Sequence, residues 1–314
     1  MKQLGRQLKL VIGNDDESFE ITQLRVTFDI KKTLTPEPNP AVIRIYNLNA
    51  SHRNLLTSKV FNRAALSVGY EELQLIYAGD IIEIKVTESA EDIICELICG
   101  DGFKAYTCTL VNKTLSSGNR DRDILTENAQ AMDIDIGVIE LPNDRQLPRA
   151  KVMFGDAREL LHKIAKNNQS DWSIQDGQLM LLPKQKVITD NESFVLSQET
   201  GLIGKPEKSE DGLTITCLCH PTLKIGALIR LQSITSEFNG DYKITELSHT
   251  GDFMERDWYS RLVCVDGTFD KVKQWNSQHF LMWWINTLRT SATIFILRCL
   301  VNYCLAMGIV RRLN

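Results

Sequence analysis

The sequence predicts a mainly β protein with an α+β insert: two β domains, with the strand cadence of a small barrel or sandwich, flank a small α+β domain, and a C-terminal hydrophobic helical tail follows. Three observations predict it. Apolar and polar residues alternate with period two in "LRVTFDIK"; short apolar runs bounded by Gly, Asp, Asn or Ser recur on both sides of the chain's middle; and the clearest helical periodicity lies between them, in "GDARELLHKIAKNNQ". The expected boundaries are 1–112 for the first β domain, 113–185 for the α+β domain, 186–267 for the second β domain and 268–314 for the tail.

In the first β domain, Leu24, Val26, Phe28 and Ile30 share one face of a strand and Arg25, Thr27, Asp29 and Lys31 the other. Pro36, Pro38 and Pro40 then fix backbone angles and remove donors, which makes the connection to "AVIRIYNL" stiff and the pair a hairpin. Ala41, Ile43 and Ile45 are expected on one face of this second strand and Val42, Tyr46 and Leu48 on the other. Apolar groups on both faces suit a wall buried against its own core and a neighbouring subunit, so Ile43, Ile45, Tyr46 and Leu48 are candidate subunit-interface residues. Asn49 or Ser51 can cap a short helix carrying Leu55, Leu56 and Val60. Strands are expected at "AALSVGY", "IYAGDIIEIKVTES", "DIICELIC" and "AYTCTLVN".

The polar stretch "SSGNRDRD" marks the boundary. "DILTENAQAM" reads as a helix and "DIDIGVIELP" as a strand, and Ala157, Leu160, Leu161, Ile164 and Ala165 fall at i, i+3, i+4, i+7 and i+8 of a second helix. Asp176-Gly177 between two apolar runs signals a tight hairpin. The β cadence then returns through "KVITDNESFVLS", "GLTITCLC", "LKIGALIRLQS", "GDYKITELSHTGD" and "DWYSRLVCVDG". The last segment is apolar but broken by Arg289 and Arg298, nine positions apart and so on opposite faces of a helix. Spanning a bilayer would bury at least one arginine at about 2.5 to 3.5 kcal/mol. It is expected to be a helical, interaction-prone tail that is disordered or aggregation-prone when the protein is expressed alone.

The length suggests two or three domains, and 43% hydrophobic with 24% charged residues is the balance of a folded chain. A net charge of -4 argues against gripping phosphate backbones. Eight cysteines in a long chain without a recognisable secretory leader are expected as reduced thiols. Gly100, Gly102 and Ala105 have the G-x-G-x-x-A spacing of dinucleotide binders, but β-branched and aromatic residues follow, so a tight turn between antiparallel strands is expected. Cys217, Cys219 and His220 lack a second ligand pair nearby, so the two thiols are expected in a core rather than on zinc. "GLIGKPEKS" fails the phosphate-loop register, the five histidines are scattered, and no nucleophile or metalloprotease motif occurs. No catalytic, cofactor or metal residue is assigned.

Taken together and in order, "FEITQLRVTFDIKKTLTPEPNPAVIRIYNLN", "YAGDI", "DGFKAYT", "GDARELLHKIAKNNQSDWSIQDGQLMLLP", "ETGLIGKPEKSEDGLTITCLCHPTLKIGALIRL" and "NGDYKITELSHTGD...DWYSRLVC" resemble the baseplate or tail hub proteins of tailed bacteriophages, over about residues 17 to 266. The resemblance implies a non-enzymatic structural protein of the virion, assembled in the host cytoplasm. It implies a homotrimer whose two barrel-like domains per chain form a ring of six, adapting the sixfold tail tube protein to the threefold central spike protein and leaving a channel through which DNA passes without specific binding. The tail from about 268 departs from that pattern and is expected to contact the tape-measure protein or a membrane, or to be a divergent extension. Two other readings remain: a cell-wall-binding or wall-degrading tail-tip protein, in which the α+β domain binds peptidoglycan, and a secretion-system spike component.

Overall fold

The computed structural model describes residues 5–88, 91–189 and 194–273, of which the chain is mainly β, 55% strand and 16% helical. The expected helical tail lies outside the described residues, apart from its first six.

In chain order the first part contains β1 (Gln7–Gly13), β2 (Ser18–Ile21), β3 (Val26–Thr33), β4 (Asn39–Tyr46), α1 (Ala50–Thr57), β5 (Arg63–Gly69), β6 (Leu73–Glu88) and β7 (Ile93–Asp101). The middle contains α2 (Phe103–Cys108), β8 (Leu110–Leu115), α3 (Asp121–Ala131), β9 (Asp135–Ile139), β10 (Lys151–Asp156), α4 (Ala157–Asn167), β11 (Ser170–Gln175) and β12 (Gln178–Pro183). The last part contains β13 (Lys186–Thr189), β14 (Phe194–Ser197), β15 (Leu202–Ser209), β16 (Gly212–Leu218), β17 (Leu228–Gln232), β18 (Gly240–Asp252), β19 (Trp258–Asp266) and β20 (Asp270–Lys273), with two short 3-10 turns.

One sheet runs through both β parts, in the order β15-β16-β19-β18-β3-β4-β7-β6-β5-β1-β2, with β17 and β14 branching from β18. The join is antiparallel pairing of β18 with β3, from Glu246↔Thr33 to Asp252↔Thr27. The 13 residues of β18 make this possible: its first half pairs with β17 and its second half with β3, while β19 flanks both. Gly251 sits at the join opposite both Phe28 and Trp258, whose rings meet edge to face at 5.3 Å across it. A Cβ at this position would lie 2.5 Å from Phe28 and 2.8 Å from Trp258. Glycine is required here because two aromatic side chains occupy the space above it.

The alternation expected in β3 is observed: Val26, Phe28 and Ile30 are buried, Asp29 and Lys31 exposed. Pro40 stands at the start of β4, beyond its pairing with β3, where its missing N–H removes no bond from that ladder. Asn49 caps α1, its side chain accepting from the His52 N–H at 2.8 Å, but only Leu56 of the expected apolar stripe is buried; Leu55 and Val60 are exposed.

The apolar cores fall into three clusters. The first gathers residues of β1, β3 to β7 and α1, and also takes Cys219 and Trp258 from the last part of the chain. The second is built on α2, α3, α4 and strands β8 to β12. The third gathers β14 to β19 together with Val138, Met180 and Leu182 of the middle part. Ala105, Tyr106 and Val111, expected within the first β domain, pack in the middle core.

"AYTC" is not a strand. Gly102, at φ +67°, ends β7 and caps α2, and Ala105 and Tyr106 turn into the middle core, where Tyr106 stacks near Trp172 at 5.5 Å. The β-branched and aromatic content that suggests a strand is overridden by burial against the insert. β20 pairs in parallel with β13, so β pairing continues past the expected domain boundary at Gly267.

Gly251→Ala is expected to lower stability by about 1 to 3 kcal/mol, because the methyl must displace Phe28 or Trp258 in a packed core; urea unfolding checks it, and an unchanged midpoint would count against the packing described.

Candidate functional site: the joint and the assembly surfaces

The insert meets the first β part at the tip of the hairpin β11–β12. Asp176 and Gly177 both have positive φ, 53° and 78°, as a two-residue type I′ turn requires. The turn projects its two N–H groups at one buried carboxylate: Asp176 N donates to Asp101 Oδ2 at 2.5 Å and Gly177 N to Asp101 Oδ1 at 3.0 Å. The Asp176 side chain reaches back into the first β part, accepting from Ala78 N at 3.0 Å and pairing with Lys32 Nζ at 2.5 Å. Beside the turn, Asn39 Nδ2 donates to Ile174 O at 2.9 Å, its Oδ1 accepts from Thr33 N at 2.9 Å, and Gln175 Nε2 donates to Thr33 O at 2.7 Å. Ile174 N donates to the buried Tyr106 hydroxyl at 2.9 Å.

Asp101 has no exposed surface. Burial, and then the neighbouring Asp176 carboxylate, push its pKa well up, while Lys32 and the two backbone N–H groups pull it back. Lys32 in turn lies 6% exposed on β3, opposite Leu247 in the β18 pairing. The same strand β18 carries a second buried cation, Lys243, 2% exposed, whose Nζ donates to Pro183 O and Lys184 O at 3.1 Å each. The insert is thus bonded at both ends of its last hairpin strand: at the turn to β3 and β7, at the exit to β18.

A buried polar group sits on the other side of the join. His249 Nδ1 is 2.8 Å from Ser260 Oγ and 3.7 Å from Cys219 Sγ, and His220 N donates to Ser260 Oγ at 3.2 Å. Burial pushes His249 down to about 3 and the Cys219 thiol up to about 12, so the thiol is neutral and the imidazole uncharged. Cys217 and Cys219 are fully buried, as the sequence suggests. "GLIGKPEKS" contains the whole of the edge strand β15. His162 is exposed on α4.

A cleft of about 750 Å³ separates the first β part from the insert, with Asp80, Asp101, Asp133, Asp135, Arg63 and Lys104 among its walls. Arg63 crosses it, pairing with Asp15 at 3.0 Å and Asp133 at 3.8 Å. Among the described residues no cluster of His, Cys, Asp or Glu has metal-ligand geometry, and no helix is long and apolar enough to cross a membrane.

Of the four residues expected at a subunit interface, Ile43 and Ile45 are 0% exposed and Leu48 2%, all within the first core. Leu48 departs from the expected outer face because Asn47 adopts φ +56°, which breaks the strand's alternation and returns the chain to the core. Tyr46 alone keeps surface to offer, half-buried beneath Arg25 at 4.7 Å. It stands on the outer face of β4 and β7 with Val42, Ile94 and Ile98, around an Arg44–Glu96 ion pair of 2.6 Å. The Asp101 joint was not singled out by the sequence; its one signal is the Asp-Gly turn itself, since the acceptor lies 75 residues away.

A family model described as baseplate hub gp41 matches residues 8–264. The chain belongs to that family. Among solved structures it is similar to the 43 kDa tail protein of prophage MuSo2 from Shewanella oneidensis, with a TM-score of 0.60 and 10% identity over 83% of this chain and 97% of that one. It is similar to the tail protein from Neisseria meningitidis MC58, with a TM-score of 0.55 and 14% identity over 84% and 98%. It is also similar to an E. coli component of the type VI secretion system, itself described as structurally similar to T4 bacteriophage tail proteins gp27 and gp5, with a TM-score of 0.52 and 10% identity over 78% and 74%. At such identities the likeness is one of fold. Among curated proteins, none matches the sequence.

Burial lowers the pKa of Lys243 from 10.5 to about 8, with Asp171 opposing the shift and Lys184 adding to it. The unfolded chain therefore binds the extra proton between those values, and the penalty for a buried ammonium is full below pH 8 and fades as pH rises. The stability difference between the natural chain and Lys243→Met is expected to move in favour of the natural chain between pH 8 and 10.5, by up to about 1.4 kcal/mol per pH unit. Denaturant titrations across that range check it; a difference that stays flat or falls would contradict the burial of a titrating ammonium.

Proposed function

We propose that this chain is a non-enzymatic structural hub of a tailed bacteriophage that assembles as a homotrimer, joins a sixfold tail tube to a threefold central spike and encloses a channel for DNA. The observation that carries the proposal is the single sheet through two β parts, joined by β3 and β18, in a chain of the baseplate hub family. Three such chains bring six β parts into a closed ring, and closed cyclic symmetry yields a finite assembly rather than a filament. The outer face around Tyr46, with Val42, Ile94 and Ile98, is the subunit contact in this proposal. A net charge of -4 supports passage of DNA without adhesion. The tail tube protein and the spike protein are the principal partners, and residues 274–314 provide a further contact, to the tape-measure protein or a membrane. The chain then resides in the virion after assembly in the host cytoplasm. The fold likeness to a type VI secretion component supports a second reading, a secretion-system spike part; the family match favours the phage hub.

Native mass measurement of the purified chain, alone and mixed with its tube and spike proteins, is expected to give three copies per complex. A chain that stays monomeric under all these conditions would sink the trimer.

A further inference from the structure

The ribbon β8–β10 stands apart from the main sheet as a separate two-stranded unit. One face is consumed by the insert core, through Val111, Leu115 and Met153. The other carries the directly opposed pairs Leu110↔Asp156, Asn112↔Phe154 and Thr114↔Val152. On it Leu110 is 79% exposed, Val152 67% and Phe154 80%. Asp156 is engaged as the cap of α4, accepting from Arg158 N at 2.8 Å. Lys113 pairs with Glu127 of α3. Apart from Asp156 at its end, this face is uncharged.

Three other edges of the main sheet are protected. β2 is four residues long; β15 carries Lys205, Pro206, Glu207 and Lys208 with a register irregularity between Ile203 and Glu207; the far half of β6 carries Glu83, Lys85 and Glu88. Short length, proline, bulges and charge are how sheets avoid unwanted pairing. On the exposed face β8 and β10 have no proline, no bulge and no charge but Asp156 at one end, and among the described residues no strand pairs with either outer edge.

We propose that the β8–β10 ribbon is a docking site for an extended, uncharged segment of another tail protein, which adds as a strand to an open edge and lays alternate apolar side chains against Leu110, Val152 and Phe154. The area selects this occupant. Three apolar side chains offer a few hundred Å², roughly half or less of the ~800 Å² per partner of a stable pair of folded surfaces, so a second copy does not associate through this face alone. An added strand gains main-chain hydrogen bonds beyond the side-chain area. A membrane surface is disfavoured because no cation flanks the apolar groups on this face. The proposal rests on family membership and not on the trimer.

Amide hydrogen exchange across 110–115 and 151–156, in the purified full chain at two concentrations tenfold apart and in assembled tails, tests it. Exchange is expected to be fast in the purified chain at both concentrations and slowed at least tenfold along one strand in tails. A Phe154→Asp chain, with unchanged circular dichroism and Tm because the ring makes little contact with the core, is expected to enter tails at least tenfold less. Equal exchange in tails and free chain overturns the proposal. So do slow exchange in the free chain at both concentrations, which assigns the face to the chain's own residues, and slowing with concentration, which assigns it to a second copy. Binding to vesicles of phosphatidylcholine and phosphatidylglycerol that Phe154→Asp abolishes would assign it to a membrane and overturn it as well.

Discussion

Two backbone N–H groups, those of Asp176 and Gly177, converge on the buried carboxylate of Asp101, and the placement of the insert depends on that convergence. Each partner needs the other: the turn's donors have no strand to pair with, and the carboxylate has no access to water. Buried polar groups are costly unless satisfied, so the contact is selective as to register and orientation. Lys32 and Asp176 extend it to β3, and Lys243 repeats the principle at the other end of the hairpin. An insert bonded at two points to one sheet is held in a fixed orientation on it.

That sheet is the second constraint. Because β18 is long enough to serve β17 and β3 in turn, the two β parts share a ladder of hydrogen bonds instead of a loose contact between surfaces. Trp258 and Cys219 enter the first core from the far end of the sequence, and Gly251 leaves space for the Phe28 and Trp258 rings at the crossing. Non-local pairing of this kind ties residue 27 to residue 252, and a cut between the β parts would expose the edges of both strands.

Much of the β architecture was legible in the sequence because local rules agreed with tertiary burial. The period-two pattern of β3, the Asn49 cap, the i, i+3, i+4 stripe of α4 and the Asp-Gly turn each act over a few residues. Where they disagreed, burial decided: "AYTC" has strand-like composition, yet Gly102 and the pocket for Tyr106 make it a helix. Leu48 was read onto the wrong face because one left-handed residue, Asn47, shifts the phase. Apolar residues on both sides of β4 mark a wall without telling which side belongs to the chain's own core, and Ile43 and Ile45 belong to it. The joint was not legible, because Asp101, Lys32 and Asp176 carry no mutual spacing and meet only through the fold.

The most direct measurement is the distance distribution between spin labels at His162 on the insert and Asp29 on the sheet, both exposed, with Cys108, Cys299 and Cys304 replaced by serine. With Asp101 present one narrow distribution is expected. Asp101→Ala is expected to broaden it severalfold while the secondary structure stays unchanged; a distribution as narrow as before would contradict the claim that this carboxylate holds the insert in place.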